Sequence, residues 1–183
     1  METAEVTTKN KWSIDPSHSE IAFKVKHLAI SNVKGVFTNF KATIYTKGDS
    51  FITSEIDFRM DVASIDTGDI KRDEHLKGSD FFDINKHPQI TFTGDTYERS
   101  EIANNYELYG HLTIKGITKQ IKLNVEFLGA AKDAYGNEKA DFNLYSKINR
   151  TDWGLKWNSA LETGGLLVSE EVIISCEVQL VKQ

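Results

Sequence analysis

Apolar and polar residues alternate along most of this chain with a period of two. The alternation is cleanest at 120–127, 139–148 and 168–180. In the first of these segments the apolar face carries Ile121, Leu123, Val125 and Phe127. Strands with one dry face and one wet face are typical of antiparallel sheets, because parallel strands buried on both faces have continuous apolar runs. The pattern predicts an all-β, antiparallel protein.

Five further segments alternate more weakly, and they lie at 18–28, 36–46, 51–62, 89–98 and 106–114. Turn signals at Lys47-Gly48-Asp49 and Lys115-Gly116-Ile117-Thr118 separate strands, and Ala134-Tyr135-Gly136-Asn137 marks a longer loop. Strands joined by short turns pair with their sequence neighbours. Since closure removes exposed sheet edges, we predict a single eight-stranded antiparallel barrel, with a two-sheet sandwich as the structural alternative.

Residues 66–78 interrupt the alternation, and they predict one inserted α-helix. Asp66 or Thr67 is placed to cap this helix, and Gly78 offers a left-handed stop. A short helical turn is expected at 158–163, where Ser159-Ala160-Leu161-Glu162 fits a capping box. We expect the barrel domain to cover residues 11–183, after a loosely ordered segment at 1–10.

Composition and charge exclude several classes of protein. The 183 residues carry a formal charge of −5, which argues against a nucleic-acid surface. No apolar run approaches the roughly 18 residues of a membrane-spanning helix, so no integral membrane segment is expected. The first residues contain no apolar signal segment, and the single cysteine, Cys176, cannot form an internal disulfide. We therefore expect a cytoplasmic protein. Its oligomeric state is left open, a homodimer included.

The apolar faces of the eight segments predict the lining of a barrel lumen. The lining residues are Phe23, Val25, His27, Phe40, Ile44, Ile56, Phe58, Met60, Phe92, Leu112, Ile114, Leu123, Val125, Phe142, Leu144, Val172 and Ile174. A barrel of eight strands is either filled by side chains or holds one small ligand. Long strands and a mixture of small and aromatic inner residues favour a cavity, while an interior of interdigitating aromatic rings is the alternative.

Four ordered motifs resemble the YceI family of lipocalin-like, polyisoprenoid-binding proteins. They are His18-Ser19-Glu20-Ile21-Ala22-Phe23-Lys24-Val25-Lys26-His27; Arg72-Asp73-Glu74-His75-Leu76-Lys77-Gly78-Ser79-Asp80-Phe81-Phe82-Asp83 followed by His87-Pro88-Gln89-Ile90-Thr91-Phe92; Gly110-His111-Leu112-Thr113-Ile114-Lys115-Gly116-Ile117-Thr118; and Ile148-Asn149-Arg150-Thr151-Asp152-Trp153-Gly154-Leu155. The resemblance implies a lipocalin-like barrel that binds, stores or transports a long isoprenoid lipid, such as a polyprenyl lipid or a quinone-like amphiphile. It implies no covalent chemistry and no cofactor.

A few polar side chains are candidates for contact with a ligand head group. His27 and Glu170 fall on predicted inner faces, and the predicted helix carries Arg72 and His75. The plainer interpretation of His27 and Glu170 is that each lies at a solvent-exposed strand end or pairs with a neighbouring backbone group. The acidic and basic residues of the helix nearly cancel, so a neutral or quinone-like head is as plausible as a diphosphate. For Arg72 and Arg150 we expect pairing with acids, namely Asp66, Asp73 or Asp152.

The chain has no motif that predicts a metal site or a catalytic nucleophile. It contains no His-x-x-x-His, Gly-x-Ser-x-Gly or Cys-x-x-Cys pattern. We therefore expect a non-enzymatic binding protein with no metal. Two alternatives stay open: an enzyme that uses His27 and Glu170 as acid–base groups on an amphiphilic ligand, and a stress-related interaction module with a filled barrel.

Overall fold

The alternating segments form the strands of a barrel, and a helix lies between two of them. The structure is a computed structural model, and it describes residues 8–159, 161 and 167–183. Its strands are β1 (Lys9–Ile14), β2 (Glu20–His27), β3 (Ser31–Phe37), β4 (Phe40–Lys47), β5 (Ser50–Asp61), β6 (Ile65–Asp66), β7 (Gln89–Arg99), β8 (Asn105–Ile114), β9 (Ile117–Lys132), β10 (Glu138–Asn149) and β11 (Val168–Lys182). Helix α1 covers Ile70–Lys77.

These segments build eight barrel strands, because three of the barrel strands consist of two pieces. β1 and β2 form the first, β3 and β4 the second, and β6 continues β5. Pairing is antiparallel throughout and follows chain order from β7 to β11. β11 then closes the ring against β1 and β2, with Leu180 opposite Ile14 and Cys176 opposite Ile21. The eight-stranded antiparallel barrel is confirmed, and the sandwich alternative is wrong.

The first barrel strand breaks at Asp15 and Pro16, where a short 3₁₀ turn separates β1 from β2. Proline has no N–H for the strand ladder, so a break is favoured here. The Asp15 carboxylate accepts hydrogen bonds from the Ser17 N–H at 3.0 Å and the Ser17 hydroxyl at 2.7 Å. The Ser17 hydroxyl, followed by the His18 ring, lowers the pKa of Asp15 to about 2.

Glycines are required at two kinds of position in this barrel. In the β8–β9 turn Lys115 and Gly116 both have positive φ, at 50° and 72°, as tight hairpins with a right-handed strand twist require. In the middle of β8, a Cβ on Gly110 would collide with the ring of Phe92 and the carbonyl oxygen of Thr93. The predicted hairpin turn at Lys115-Gly116 is present.

Helix α1 begins later than the sequence pattern predicts. Its N-cap is Asp69, whose carboxylate accepts the Arg72 N–H at 3.1 Å. Asp66 instead receives the Gly68 N–H at 2.9 Å, so the residues expected to cap the helix shape the loop before it. Gly78 ends the helix with φ at −76°, so the expected left-handed stop is wrong.

Two predicted segments lie partly outside the residues that the structure describes. Of the helical turn expected at 158–163, residue 160 and residues 162 and 163 lie outside the described residues, and 158 and 159 are not helical. Of the loose segment expected at 1–10, residues 1–7 lie outside them, whereas Lys9 and Asn10 pair with β4. In the part of the chain that the structure describes, no helix has the length and apolar character needed to cross a membrane.

The antiparallel order gives the barrel two different ends. One, which we call the turn end, carries the β4–β5, β7–β8 and β9–β10 turns together with the start of β1 and the finish of β11. The other, which we call the insertion end, carries the β2–β3 and β8–β9 turns. It also carries both long connections, one with α1 between β6 and β7 and one from Arg150 to β11.

Candidate ligand-binding cavity

The barrel encloses a cavity of about 590 Å³ between its two ends. Its wall includes every predicted lining residue except Phe40, namely Phe23, Val25, His27, Ile44, Ile56, Phe58, Met60, Phe92, Leu112, Ile114, Leu123, Val125, Phe142, Leu144, Val172 and Ile174. Phe40 is buried but stacks on Phe58 with the ring centroids 6.4 Å apart, and it does not reach the wall. The inward placement of these strand faces follows the alternation in the sequence.

The lumen is hollow because some of its aromatic rings lie along the wall instead of across the barrel. A Cβ on Gly35 would come within 2.6 Å of the Phe23 ring, so this ring covers the backbone of β3. The Phe92 ring covers Gly110 of β8 in the same way. Glycines thus leave room for large side chains to flatten against the sheet. The alternative of an interior closed by interdigitating rings is wrong for this barrel.

Aromatic rings block the turn end of the cavity. Phe51 contacts Trp12 and Phe142, with centroid distances of 5.1 and 5.0 Å, and Phe127 lies 5.2 Å from Phe142. Tyr97 also lines this part of the wall, and burial raises the pKa of its phenol well above the usual range. This end of the lumen is apolar and carries no charged side chain on its wall among the described residues.

The two connections meet over the insertion end. The ring of Trp157 lies 4.8 Å from that of His75 on α1 and 5.4 Å from that of Phe81, which follows the helix. Arg72, His75 and Leu76 share one face of α1, and all three line the cavity. The helix and the connection after β10 therefore form the cover of this end together.

Arg150 holds the second connection in place from the cavity wall. Its side chain is only 4% exposed, and its guanidinium donates to the carbonyl oxygens of Ser169 at 2.9 Å and Trp157 at 3.1 Å. It also donates to the carbonyl oxygens of Leu155 and, at 3.4 Å, Val168. Burial lowers the pKa of this guanidinium. The expected pairing of Arg150 with an acid is wrong, because backbone carbonyls take its hydrogen bonds.

The motif around Arg150 is a compact local structure. The Asn149 side chain accepts hydrogen bonds from the N–H of Thr151 at 3.0 Å and from its hydroxyl at 2.6 Å. Gly154 adopts the left-handed conformation, with φ at +76°. The indole N–H of Trp153 donates to the Leu112 carbonyl at 3.0 Å. These contacts anchor the connection to β8 and aim Arg150 at the lumen.

The candidate head-group residues do not all lie on the wall. His27 lines the cavity at the end of β2, and Arg72 and His75 line it from α1. Glu170 is exposed and absent from the wall, because a register shift in β11 between Val168 and Val172 breaks the alternation there. The expected inward orientation of Glu170 is wrong.

Two of these residues have partners that the sequence did not indicate. Arg72 donates to Thr67, to the hydroxyl at 2.7 Å and to the carbonyl at 2.8 Å, so its expected pairing with Asp66 or Asp73 is wrong. Asp73 instead accepts the Thr67 N–H at 3.0 Å. His75 lies 2.9 Å from the exposed carboxylate of Asp80.

Neither a metal cluster nor a reactive thiol is apparent in the barrel. Residues 8–159, 161 and 167–183 contain no group of three or more His, Cys, Asp or Glu side chains that could hold a metal ion. Cys176 lies on the cavity wall, and burial raises the pKa of its thiol to about 11. At neutral pH this side chain is protonated and behaves as a small apolar group.

The sequence did not predict several wall residues, because they lie outside the inner face that the alternation assigns. Examples are Phe51, Lys71, Phe81, Trp157 and Leu167. Most of them belong to α1 or to the connection after β10, where no period of two assigns an inner face. Lys71 carries a weak signal, because it precedes Arg72 and lies one helical turn before His75.

The barrel domain matches a known protein family. The family model of the YceI-like domain matches residues 12–180 of this chain. The chain belongs to the YceI-like family. Among curated relatives, the UPF0312 protein SAS2572 of Staphylococcus aureus strain MSSA476 is 35% identical over 162 residues, which cover 88% of this chain and 91% of the relative. The resemblance seen in the four motifs is confirmed.

Solved structures of the same architecture cover nearly the whole chain. The Campylobacter jejuni YceI protein is 31% identical, with a TM-score of 0.71 over 100% of this chain and 99% of that one. BcnA of Burkholderia cenocepacia has a TM-score of 0.76 at 24% identity, covering 91% of this chain and 98% of its own. A polyisoprenoid binding domain from Saccharophagus degradans has a TM-score of 0.66 at 15% identity, covering 94% and 98%. At such identities the last two show a shared fold alone.

Proposed function

We propose that this YceI-like protein binds one long isoprenoid-type lipid in its lumen and stores or carries it without chemical change. The observation that carries the proposal is the cavity of about 590 Å³ with its apolar wall. Small-molecule sites commonly have volumes of about 300–1,000 Å³ and mostly apolar walls. The polyisoprenoid binding domain of Saccharophagus degradans shares the barrel architecture, which supports the same class of ligand.

A branched, flexible hydrocarbon suits this wall chemically. Transfer of each CH₂-sized group from water to a dry lumen contributes about 0.8 kcal/mol, before the costs of association and of ordering the chain. Methyl groups and aromatic rings line the lumen, and Leu123 on β9 and Ile174 on β11 are two of the aliphatic residues. Affinity therefore requires no charged contact, and it grows with tail length until the tail reaches the aromatic rings at the turn end.

Binding without chemistry fits the groups on the wall better than catalysis does. The acid–base pair of the enzyme alternative requires His27 and Glu170 to face a common ligand, yet Glu170 is exposed and off the wall. Cys176 is on the wall but protonated at neutral pH, since burial raises its pKa to about 11. We place this carrier in the cytoplasm, where a lone cysteine is kept reduced.

Thermal unfolding with a series of prenols tests the proposal. Prenols of two to six isoprene units are added to the protein, and stabilisation is expected to rise with tail length and then level off. A ligand at 100 times its dissociation constant adds about 2.7 kcal/mol to the free energy of unfolding. Mass spectrometry of the recovered ligand is expected to show it unchanged. No stabilisation by any prenol, or turnover of the ligand, contradicts the proposal.

Two adjacent residues of β11 offer a matched pair of variants. Ile174 lies on the cavity wall, whereas Ser175 is exposed on the outer face. Ile174→Trp is expected to fill part of the lumen and abolish the gain from long tails, and Ser175→Trp is expected to leave binding unchanged. Far-ultraviolet circular dichroism checks that both variants fold. Equal prenol binding by two folded variants contradicts a luminal site.

A further inference from the structure

The charges on the cavity wall have a single sign. The basic wall residues are Lys26, His27, Lys71, Arg72, His75 and Arg150. No aspartate or glutamate lines the cavity in the described part of the chain. The chain as a whole carries a formal charge of −5, so the sign of the charge on the cavity wall is opposite to that of the whole protein. All six basic residues belong to the end of β2, to α1 or to the start of the second connection, which places them at the insertion end.

Arg150 is the least exposed of these basic residues. Four backbone carbonyls satisfy most of its N–H groups, but no carboxylate among the described residues is hydrogen-bonded to it. Burial lowers the pKa of Arg150, and Glu170 offsets only part of this effect through space from its exposed position. A buried charge is costly unless an opposite charge compensates it. An anion in the adjacent lumen would supply that compensation.

The acids near α1 are turned away from the cavity or bound to other groups. Asp73 accepts hydrogen bonds from Thr67, Glu74 lies 3.4 Å from Lys77, and Asp80 pairs with His75. None of these three acids lies on the wall, whereas Lys71 and Arg72 do. The charges of the helix nearly cancel in number, as the sequence indicates, but the structure separates them by face. The lumen therefore receives a net positive field from α1.

We propose that the insertion end binds an anionic oxygen head group, a phosphate ester or a carboxylate, of the lipid whose tail fills the lumen. The inference rests on the proposed function, because the tail must lie in the lumen for its head to reach these residues. Guanidinium and ammonium groups bind such oxyanions through charge-assisted hydrogen bonds, which are about twice as strong as neutral ones. Partial exclusion of water at this end strengthens the attraction further.

The test compares lipids that share one tail and differ only in the head. The probes are geranylgeraniol, geranylgeranyl phosphate, geranylgeranoic acid and geranylgeranylamine, with affinity measured by displacement of a fluorescent fatty alcohol. We expect the phosphate and the carboxylate to bind about tenfold more tightly than the alcohol, and the amine to bind more weakly than the alcohol. The advantage of the anions is expected to shrink as salt increases.

Each outcome distinguishes the head-group inference from the proposed function. Equal affinity of alcohol, phosphate, carboxylate and amine overturns the anionic head group and leaves lipid binding intact. Failure of all four probes to bind overturns the proposed function itself. A larger gain for the phosphate than for the carboxylate identifies a phosphate ester as the preferred head, and the reverse identifies a carboxylate.

Variants locate the head-group site. Lys71→Gln and Arg72→Gln are each expected to lower the affinity for geranylgeranyl phosphate about fivefold to tenfold more than the affinity for the alcohol. Lys132→Gln, at the exposed end of β9 at the turn end, removes the same charge away from the insertion end and is the control. Equal losses in all three variants mean a general charge effect and overturn a site at the insertion end.

Discussion

The two ends of the barrel close in different ways. At the turn end the strands themselves bring Trp12, Phe51, Phe127 and Phe142 together, and the turns there join strands that are neighbours in the barrel. At the insertion end the cover consists of two connections outside the strand ladder, held by the ring contacts of Trp157 and the carbonyl bonds of Arg150. One end is apolar and continuous with the core, and the other is basic and built from added segments.

This difference separates two properties of a binding protein. Under the proposed function, the aromatic rings at the turn end limit how far a tail enters, so they set the length that fits. Under the head-group proposal, the insertion end contacts the head, so it sets chemical preference. Because few contacts hold α1 against Trp157, this end is also where local opening should cost least free energy.

Removal of the Arg150 cation is expected to have the largest effect on stability. Arg150→Met leaves the buried carbonyls of Leu155, Trp157 and Ser169 without a donor, and we expect a loss of about 3 kcal/mol in the free energy of unfolding. Urea titration followed by fluorescence measures it. The control, Arg59→Met on the exposed face of β5, should change stability by less than about 0.5 kcal/mol. Equal effects would mean that Arg150 does not hold the insertion end.

The alkylation rate of Cys176 measures how well the lumen between the two ends is shielded from water. Burial disfavours the charged thiolate, so the pKa of Cys176 rises to about 11 from an ordinary value near 9. At pH 8 the reactive thiolate is therefore about a hundredfold rarer than in an exposed cysteine. The rate of alkylation by iodoacetamide should rise about tenfold per pH unit from 7 to 9.5 without levelling off.

The urea-unfolded chain is the control for this measurement, and its alkylation rate should level off near the ordinary pKa of cysteine. Saturating geranylgeraniol should slow alkylation of the folded protein further, because the tail covers the thiol. A rate in the folded protein that levels off below pH 9, or one that the lipid does not change, would contradict a dry lumen entered only from the insertion end.

Sequence reasoning predicts the strand part of this molecule well and the insertion end poorly. The period of two assigns Leu123, Phe142 and Ile174 to the lumen correctly, because a strand's side chains must alternate between the two faces of a sheet. The same rule predicts the wrong orientation for Glu170, because the register shift in β11 moves it out of phase with the inner face. Nothing in the local sequence marks that shift.

The basic character of the cavity could not be predicted in the same way. Arg150 is held by carbonyls of residues up to 19 positions away, and Lys71 and Arg72 reach the cavity wall from α1, outside the strands. The sequence shows that the acidic and basic residues of α1 nearly cancel in number. It does not show that they lie on different faces of the helix. The hollow lumen could not be predicted either, because it depends on how the aromatic rings are oriented. Residue types alone do not show that the ring of Phe23 lies over Gly35.

Opening the turn end should lengthen the tail that fits. Phe51→Ala removes a ring that contacts Trp12, Phe127 and Phe142, and we expect it to lower the free energy of unfolding by about 2 kcal/mol. The same change should shift the best-binding prenol to a longer tail and leave any preference for an anionic head unchanged. Titration of the prenol series against this variant measures both. An unchanged length optimum would mean that the rings at the turn end do not limit the tail.

A matched pair of glycine substitutions gives the smallest expected effect and the most direct comparison of the ends. Gly154, in the connection that covers the insertion end, and Gly48, in the β4–β5 turn at the opposite end, have φ of +76° and +61°. Alanine at either position strains the left-handed backbone by about 1 kcal/mol, so both variants should lose similar stability. Only Gly154→Ala should speed the release of bound geranylgeraniol in stopped-flow displacement, because it loosens the cover. Equal release rates in the two variants would show that the lipid does not leave by the insertion end.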